Sequence, residues 1–453
     1  MKFKNSYILL LATAFIGLMG YGQMSFQNNS PESNKRPNII LIMTDDMGRE
    51  CLGSYGNSSY STPNLNRMVA NGVRFENMFA QPLCTPSRVK IMTGKHNYRN
   101  YTDFGYLDPE ERTFGNLLKD AGYHTMIAGK WQLNGFYKDK KPGWDDMDRP
   151  YTFGFDEYCL WQVTKEKSYG ERYADPLIAQ NGKELPREED SYGPDIFSNY
   201  ILDFIERKKN EDRPFFIYYP MVLVHDPFVP TPDSREWNDR SARYVENTEF
   251  FKDMVSYTDK IVGRIMDKLE ETGLAENTLV LFTGDNGTSE RIVSEMADGD
   301  SVQGQKGYMT DRGTRVPLIA YWKGKSLKGA VNYDLLDFSD VLPTLRTAAK
   351  IHTPIDAVVD GNSFLSKIIG DPDYPKPYIY MYYKPEWGKW TSAAGVFVRD
   401  IRYKLYGDGR FYDLDNDIGE ETDLPIDGLD RETLAIRQKL QYILDERPVV
   451  HNK

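Results

Sequence analysis

Short apolar runs that alternate with amphipathic helical stretches constrain the fold of this chain more than any other feature. Asn38–Thr44 (NIILIMT) and Thr278–Thr283 (TLVLFT) are apolar almost throughout, which is typical of strands that are buried on both faces. A long helix is predicted from Phe250 to Gly273, because apolar residues recur there every three to four positions. We therefore expect an α/β fold with a mainly parallel sheet flanked by helices.

Capping residues and β-branched or aromatic runs predict the other elements of the sheet and its helices. Helices are expected to begin at Thr62-Pro63 and at Thr113, since Ser or Thr caps and first-turn prolines open helices. Further strands are predicted at 123–128, 214–224 and 317–322.

The chain beyond residue 371 has a different pattern. Aromatic segments separated by turn residues predict short strands at 378–382, 395–399, 402–406 and 411–414, followed by a helix over 431–445. We therefore expect a main domain over 36–371 and a smaller C-terminal subdomain over 372–453, built from an antiparallel sheet and a helix.

The N-terminus has the pattern of a secretory signal peptide over residues 1–22. Lys2 and Lys4 precede an apolar run from Ile8 to Met19, and small residues follow it. The run is about 12 residues long, which is short of the roughly 20 needed to cross a bilayer. We expect cleavage near Gly22, no membrane anchor, and a periplasmic or extracellular protein.

Composition excludes several classes of protein. The chain has 67 acidic and 56 basic residues with a net charge of −11, which argues against a nucleic-acid binder. A hydrophobic content of 40% excludes wholesale disorder. The three cysteines, Cys51, Cys84 and Cys159, are too few for a disulfide scaffold. Their spacing leaves open whether Cys51 and Cys159 pair.

Two pairs of oxygen-bearing residues follow predicted strands directly. Asp45-Asp46 comes after the first apolar run, and Asp285-Asn286 comes shortly after the TLVLFT run. Ligands gather at the carboxyl ends of parallel strands, and Ca²⁺ and Mg²⁺ prefer such hard oxygen donors. Either pair alone fits a turn or helix cap equally well. Together they predict a divalent metal site.

Cys84 begins the segment Cys84-Thr85-Pro86-Ser87-Arg88, which continues to Gly94 as the start of a helix. A helix N-terminus and a nearby guanidinium both favour an anion at this position. By pattern alone, a single cysteine before a helix is more often structural than catalytic. The surrounding residues decide the matter.

The segment Cys84–Gly94 resembles the signature C-x-P-S-R-x-x-[LI]-x-T-G of the formylglycine-dependent (type I) sulfatases. Further similar segments, in the same order, are 122–125, 129–131, 225–227, 283–287, 305–307, 315–317, 402–404 and 412–414. The resemblance extends from about Arg36 to Leu424. It implies an alkaline-phosphatase-like fold and sulfate ester hydrolysis.

The resemblance also implies roles for individual residues. A maturation enzyme would convert Cys84 to formylglycine, whose hydrate attacks sulfur beside a bound Ca²⁺. The implied metal ligands are Asp45, Asp46, Cys84, Asp285 and Asn286. The implied catalytic residues are Cys84, Arg88, Lys130, Gln132, His225 and Lys306. Of these, Arg88 would hold the nucleophile and the metal-binding carboxylates, Lys130 and Lys306 would contact sulfate oxygens, and His225 would protonate the leaving oxygen.

Gln132 departs from the family pattern, because many members have histidine at this position. A glutamine amide can hydrogen-bond the hydrated aldehyde but cannot act as a base near pH 7. We hypothesise that Gln132 only orients the diol and that another group or water takes the proton.

The substrate is expected to be a sulfated saccharide from a glycosaminoglycan, mucin or algal polysaccharide. Arg99 and Trp161 are candidate sugar contacts, although packing is the commoner role of aromatic loops. Two alternatives remain open: a phosphonate or phosphodiester hydrolase with the same nucleophile, and an inactive sulfoglycan-binding protein, which Gln132 motivates. A metal-dependent alkaline phosphatase is disfavoured, because it would need a Ser or Thr nucleophile and more than the 5 His present.

Overall fold

A ten-stranded sheet forms the centre of the computed structural model, which describes residues 35–135, 140–164, 172–352, 358–384 and 394–447. The strands are β1 (Asn38–Thr44), β2 (Val73–Phe79), β3 (His124–Lys130), β4 (Glu157–Trp161), β5 (Ile178–Gln180), β6 (Lys183–Glu184), β7 (Phe215–Pro220), β8 (Thr278–Gly284), β9 (Val293–Glu295), β10 (Ser301–Gln303), β11 (Arg315–Trp322), β12 (Ala330–Asp337), β13 (Ile379–Tyr383), β14 (Gly395–Arg399), β15 (Tyr403–Tyr406) and β16 (Phe411–Asp413). The helices are α1 (Pro63–Ala70), α2 (Cys84–Thr93), α3 (Asn97–Asn100), α4 (Phe114–Asp120), α5 (Arg149–Thr152), α6 (Gly193–Lys208), α7 (Phe251–Glu271), α8 (Asp311–Thr314), α9 (Val341–Ala348), α10 (Leu365–Ile369) and α11 (Arg431–Asp445).

The strand order of the large sheet is β12-β2-β11-β8-β1-β7-β3-β4-β5-β6. Its central strand β1 pairs in parallel with β7 and β8, and β3 pairs in parallel with β7 and β4. The predicted α/β fold with a mainly parallel sheet is therefore confirmed. Thr44 lies level with Gly284 in the β1–β8 register, so the residues that follow these two strands meet at one edge.

Strand β11 runs antiparallel to both of its neighbours, β8 and β2. After β8 ends, the chain forms the β9–β10 hairpin and the short helix α8 before β11 begins. No long helix among the described residues of this stretch carries the chain back across the sheet, as a parallel connection requires. The strand predicted at 317–322 therefore enters the sheet from the edge where β8 leaves it.

Helices cover both faces of the sheet, and the side chains of β1 point alternately into the two cores that result. Ile40 and Ile42 pack into one core cluster with α1, α6 and α7, whereas Ile39, Leu41 and Met43 pack into the other with α2, α4 and α9. All seven residues of β1 are buried. The absence of polar alternation in the sequence thus reflects burial on both faces.

The C-terminal strands β13–β16 form a four-stranded antiparallel sheet, as the sequence predicts. One face packs against Leu440 and Ile443 of α11. The other face packs against Leu83 and Met309. The small sheet is therefore in contact with the residue that precedes Cys84. The domain boundaries at 36–371 and 372–453 stay a prediction.

The predicted signal peptide, residues 1–22, lies outside the described residues. Within the described part of the chain, no helix has both the length and the apolar character needed to span a membrane.

Candidate active site

The residues that follow β1 and β8 meet at the carboxyl edge of the sheet, as predicted. The backbone N–H of Asp46 donates to Asp285 Oδ1 at 3.0 Å, and Asn286 Nδ2 donates to Asp46 Oδ1 at 2.9 Å. Asp45 also belongs to this group, and all four side chains are buried. The two strand ends therefore form one cluster of hard oxygen atoms.

Three oxygen atoms in this cluster are buried without a hydrogen-bond donor among the described residues: Asp45 Oδ1, Asp285 Oδ2 and Asn286 Oδ1. Buried polar atoms without partners cost free energy, and carboxylates cost most. Ligand atoms of Asp45, Cys84 and Asp285 all lie within 4.8 Å of one another. Because Ca²⁺ and Mg²⁺ are bound by such oxygen atoms, the residues present fit a divalent cation.

The buried Lys130 and the half-buried Lys306 contact the first acidic pair. Lys130, the last residue of β3, places Nζ 2.7 Å from Asp45 Oδ2. Lys306 Nζ donates to Asp46 Oδ2. Burial would raise the pKa of Asp45, but the charges of Lys130 and His225 hold this pKa below its ordinary value. Burial likewise opposes the charge of Lys306, yet Asp46 raises the pKa of this lysine. Lys306 is therefore charged at neutral pH.

Cys84 is the first residue of α2, a helix whose ten residues are all buried. Its Sγ lies 3.7 Å from Gln132 Oε1, to which the thiol donates. Burial raises the pKa of the Cys84 thiol, and Lys130 only partly offsets this. The unmodified side chain is therefore a protonated thiol, which is a poor nucleophile.

Arg88, one turn further along α2, links the helix to the acidic cluster. Its Nη1 donates to the carbonyl of Lys130 at 3.0 Å, and Nη2 lies 3.6 Å from Asp285 Oδ2. The guanidinium is 1% exposed. It therefore supplies a fixed positive charge next to the carboxylate that follows β8.

The ring of His225 lies between Asp226 and Lys306. Its Nδ1 is 2.6 Å from Asp226 Oδ1, and its Nε2 is 3.1 Å from Lys306 Nζ. Burial lowers the pKa of His225, Asp46 opposes this effect, and Lys306 adds to it. A neutral ring that donates from Nδ1 and accepts at Nε2 satisfies both contacts. Nε2 is then linked to the ammonium group that also contacts Asp46.

The family model described as "Sulfatase" matches residues 37–351, which is more than half of the chain. The chain belongs to the sulfatase family. It has the features of the formylglycine-dependent (type I) sulfatases and is an enzyme that hydrolyses sulfate esters.

Relatives and solved structures agree with this family. The sulfatase is 30% identical over 438 residues to N-acetylgalactosamine-6-sulfatase of Canis lupus familiaris, which covers 87% of this chain and 78% of that one. It superimposes with a TM-score of 0.72 and 22% identity on a structure described in complex with D-glucosamine-2-N,6-O-disulfate, covering 91% and 97% of the two chains. It superimposes with a TM-score of 0.65 and 19% identity on the phosphonate monoester hydrolase of Agrobacterium radiobacter, covering 90% and 95%. The two structural matches show the fold alone.

The two predicted sugar contacts of the sulfatase, Arg99 and Trp161, each contact a charged side chain of the protein itself. Arg99 Nε contacts both carboxylate oxygens of Asp360, at 3.0 and 2.9 Å, and its guanidinium lies over the Tyr98 ring. Trp161, the last residue of β4, is 1% exposed, and the guanidinium of Arg172 covers its ring at 4.3 Å. Contact of Arg99 and Trp161 with the sugar stays a prediction.

Three residues near the site were not predicted from the sequence as functional. Arg172 Nη1 lies 3.5 Å from Asp45 Oδ2, the Tyr173 hydroxyl contacts the carbonyl oxygen of His225, and Asp226 contacts the His225 ring. Asp226 could have been found, because it follows His225 directly. Arg172 and Tyr173 follow a polar segment without periodicity, and no sequence signal marks them.

The remaining cysteines of the sulfatase are both free thiols. Cys51 Sγ lies 3.2 Å from the Thr288 hydroxyl. Cys159 is part of β4 and is fully buried. The question that the sequence leaves open is thus answered, because no disulfide joins Cys51 to Cys159.

Proposed function

We propose that this sulfatase removes sulfate from sulfated saccharides, using a formylglycine formed at Cys84 and one bound Ca²⁺. The convergence of Cys84 with Asp45 and Asp285, each of which has a buried oxygen that accepts no hydrogen bond from the described residues, supports this proposal above all others. A nucleophile position, a cation site and charged lysines are thereby brought together in one buried cluster.

The residues proposed to hold the calcium ion are Asp45, Asp46, Asp285, Asn286 and residue 84. When bound, the ion polarises the sulfate group and favours an ionised nucleophile. The formylglycine, once formed by a maturation enzyme and hydrated, supplies a nucleophilic oxygen that serine or cysteine cannot replace in turnover, because its second hydroxyl permits sulfate to leave.

The other side chains bind and orient the substrate. Lys130 and Lys306 donate to sulfate oxygens, where fixed cations stabilise the charge that develops in the transition state. Arg88 holds Asp285 and the backbone of Lys130 in place. His225 delivers a proton from Nε2 to the leaving oxygen when its ring is doubly protonated, and returns to the neutral ring whose Nε2 accepts from Lys306 at 3.1 Å. Gln132 orients the nucleophile through its amide oxygen.

A saccharide substrate is supported by the relative N-acetylgalactosamine-6-sulfatase and by the similar structure in complex with D-glucosamine-2-N,6-O-disulfate. The signal-peptide pattern of residues 1–22 supports export, which would place the enzyme where sulfated polysaccharides are found. The rival phosphonate or phosphodiester hydrolase is supported by the shared fold alone.

The test is release of inorganic sulfate from a panel of sulfated saccharides and aryl sulfates, with phosphonate and phosphate esters assayed in parallel. The protein is produced in a host that forms formylglycine, and mass spectrometry of the peptide around position 84 verifies conversion. Cys84→Ala, with the same metal content, is the control. We expect sulfate release from at least one saccharide and none from Cys84→Ala. Faster cleavage of phosphonates would favour the rival hydrolase, and binding without release would favour the inactive sulfoglycan-binding protein.

A further inference from the structure

Arg172 is a buried cation that the proposed reaction does not use. Its side chain is 4% exposed, and Nη1 lies 3.5 Å from Asp45 Oδ2. In the part of the chain that the structure describes, Nε and Nη1 of Arg172 have no hydrogen-bond acceptor. A buried guanidinium is costly unless an opposite charge compensates it. Asp45 is that opposite charge.

The ring of Trp161 lies against this guanidinium. The centre of its ring is 4.3 Å from the guanidinium carbon of Arg172, a distance at which a cation is attracted to the ring face. Trp161 is also paired in register with Lys130 across β3 and β4. The ring is therefore fixed to the same strand ends that carry Lys130.

Two cations consequently converge on one oxygen of Asp45. Lys130 Nζ lies 2.7 Å from Oδ2, and Arg172 Nη1 lies 3.5 Å from the same atom. The other oxygen, Oδ1, has no donor among the described residues. The carboxylate is thus held through Oδ2, which leaves Oδ1 available to a metal ion.

We propose that Arg172 and Trp161 are positioning residues for the metal site. Trp161 holds the guanidinium of Arg172, and the guanidinium fixes Asp45 in the orientation that directs Oδ1 at the cation. This inference rests on the proposed function, because it assumes that Asp45 binds Ca²⁺. It gives Trp161 a role other than sugar stacking.

Removing Arg172 should change Ca²⁺ affinity in opposite directions, depending on whether Arg172 orients Asp45 or acts only through its charge. As a positive charge near the site, Arg172 repels Ca²⁺, so its loss would strengthen metal binding. As a support for Asp45, its loss would weaken metal binding, typically by about 10- to 100-fold for residues behind a metal ligand. The sign of the change in Ca²⁺ affinity therefore distinguishes the two roles.

The experiment measures Ca²⁺ affinity directly, by competition with a fluorescent chelator, on the full-length matured enzyme after removal of metal. We expect Arg172→Gln to weaken Ca²⁺ binding by about 10- to 100-fold. Arg172→Lys keeps the charge but cannot lie flat on the ring, so it should also bind more weakly than the wild type. Unchanged affinity in Arg172→Lys, or tighter binding in Arg172→Gln, would overturn the proposal.

The Trp161 variants test the second half of the inference. Trp161→Phe keeps an aromatic face and should bind Ca²⁺ with nearly the wild-type affinity, whereas Trp161→Leu should be weakened as Arg172→Gln is. Equal affinities in the two Trp161 variants would contradict the role of the ring. Thermal unfolding in chelator verifies that each variant is folded before its affinity is compared.

Tyr173→Phe is the matched control, because it removes a neighbouring buried hydroxyl that contacts the carbonyl oxygens of Val222 and His225 instead of Asp45. It should leave Ca²⁺ affinity unchanged. A loss equal to that of Arg172→Gln would show general loosening of the segment and would overturn the inference. Absence of Ca²⁺ binding by the wild type would instead refute the proposed function.

Discussion

Gln132 can orient the group at position 84 but cannot act as a base towards it. The Cys84 thiol donates to its amide oxygen, and an amide has no basic site near pH 7. We expect Gln132→Ala to lower the turnover number by at least about tenfold, because an oriented nucleophile is worth that much or more. Gln132→His should not raise it. The measurement is sulfate release across pH, and a many-fold faster Gln132→His enzyme with an unchanged pH profile would contradict the orienting role.

Lys306 contacts both Asp46 and His225 and is proposed to bind a sulfate oxygen, so its replacement should affect the reaction more than the fold. We expect Lys306→Met to lower kcat/KM for sulfate release by about 100-fold or more, since loss of one preorganised donor has such an effect. Lys323→Met is the control, because Lys323 forms an exposed ion pair with Glu270, and such pairs contribute little. Similar losses in the two variants would exclude a specific role for Lys306.

At the scale of elements, β3 places Lys130 through a residue that tolerates no side chain. Gly129 has φ +116°, and a Cβ there would lie 2.0 Å from the carbonyl oxygen of Pro220 in β7. We expect Gly129→Ala to lower the free energy of unfolding by more than about 3 kcal/mol, a large value for one substitution. Denaturant unfolding measures this loss.

Gly273→Ala is the matched control for Gly129→Ala. Gly273 also has a positive φ, of +71°, but a Cβ there would meet no atom within 4 Å. Only the left-handed backbone opposes alanine, at about 1–2 kcal/mol. Equal losses in the two variants would mean that the contact with β7 does not matter.

The turn between α2 and α3 makes stability depend on pH. Burial lowers the pKa of His96 from 6.5 to about 3, and the charge of Lys90 acts in the same direction. Between these values the unfolded chain binds a proton that the folded chain excludes, so stability falls as the pH drops below 6.5. We expect His96→Gln to make this fall shallower, as measured by denaturant unfolding from pH 7 to pH 4.5. His352→Gln, at an exposed histidine, should leave the slope unchanged, and equal slopes in all three proteins would contradict the assignment.

The elements were predictable where one physical signal determined them. Uninterrupted apolar runs predicted β1 and β8, and helical periodicity predicted α7 close to its observed residues. The antiparallel direction of β11 was not predicted, because direction depends on how the preceding segment returns to the sheet. Likewise, Asp45 and Asp285 were predictable from their strand ends, whereas Arg172 reaches Asp45 from a segment without a pattern. Tertiary contacts of this kind leave no trace in local sequence.

At the scale of the whole molecule, the small C-terminal sheet packs against the segment that leads into Cys84. Met381 and Phe397 share a core with Phe79 and Leu83, the residue before Cys84. Asp311 also forms buried ion pairs with Arg399 and Lys404 of the small sheet. The two parts are therefore joined by apolar contacts and by charges that would be costly to separate.

We expect a fragment of residues 36–371 to lack a stable fold, because truncation would expose this core and remove Arg399 and Lys404 from Asp311. The measurement is thermal unfolding by near-ultraviolet circular dichroism, with sulfate release as a second readout. The chain of residues 36–453 is the control and should unfold in one cooperative transition. A fragment that unfolds cooperatively and releases sulfate would show that residues 36–371 form a domain independent of the C-terminal region.

The burial of Cys84 has a consequence for timing. Its side chain is 3% exposed, and all ten residues of the helix that it begins are buried. A second enzyme therefore cannot bind this segment once the chain has folded. The conversion that we propose at Cys84 must therefore precede folding. The fraction of active molecules is then set by the rate of conversion relative to the rate of folding, and not by the stability of the folded protein.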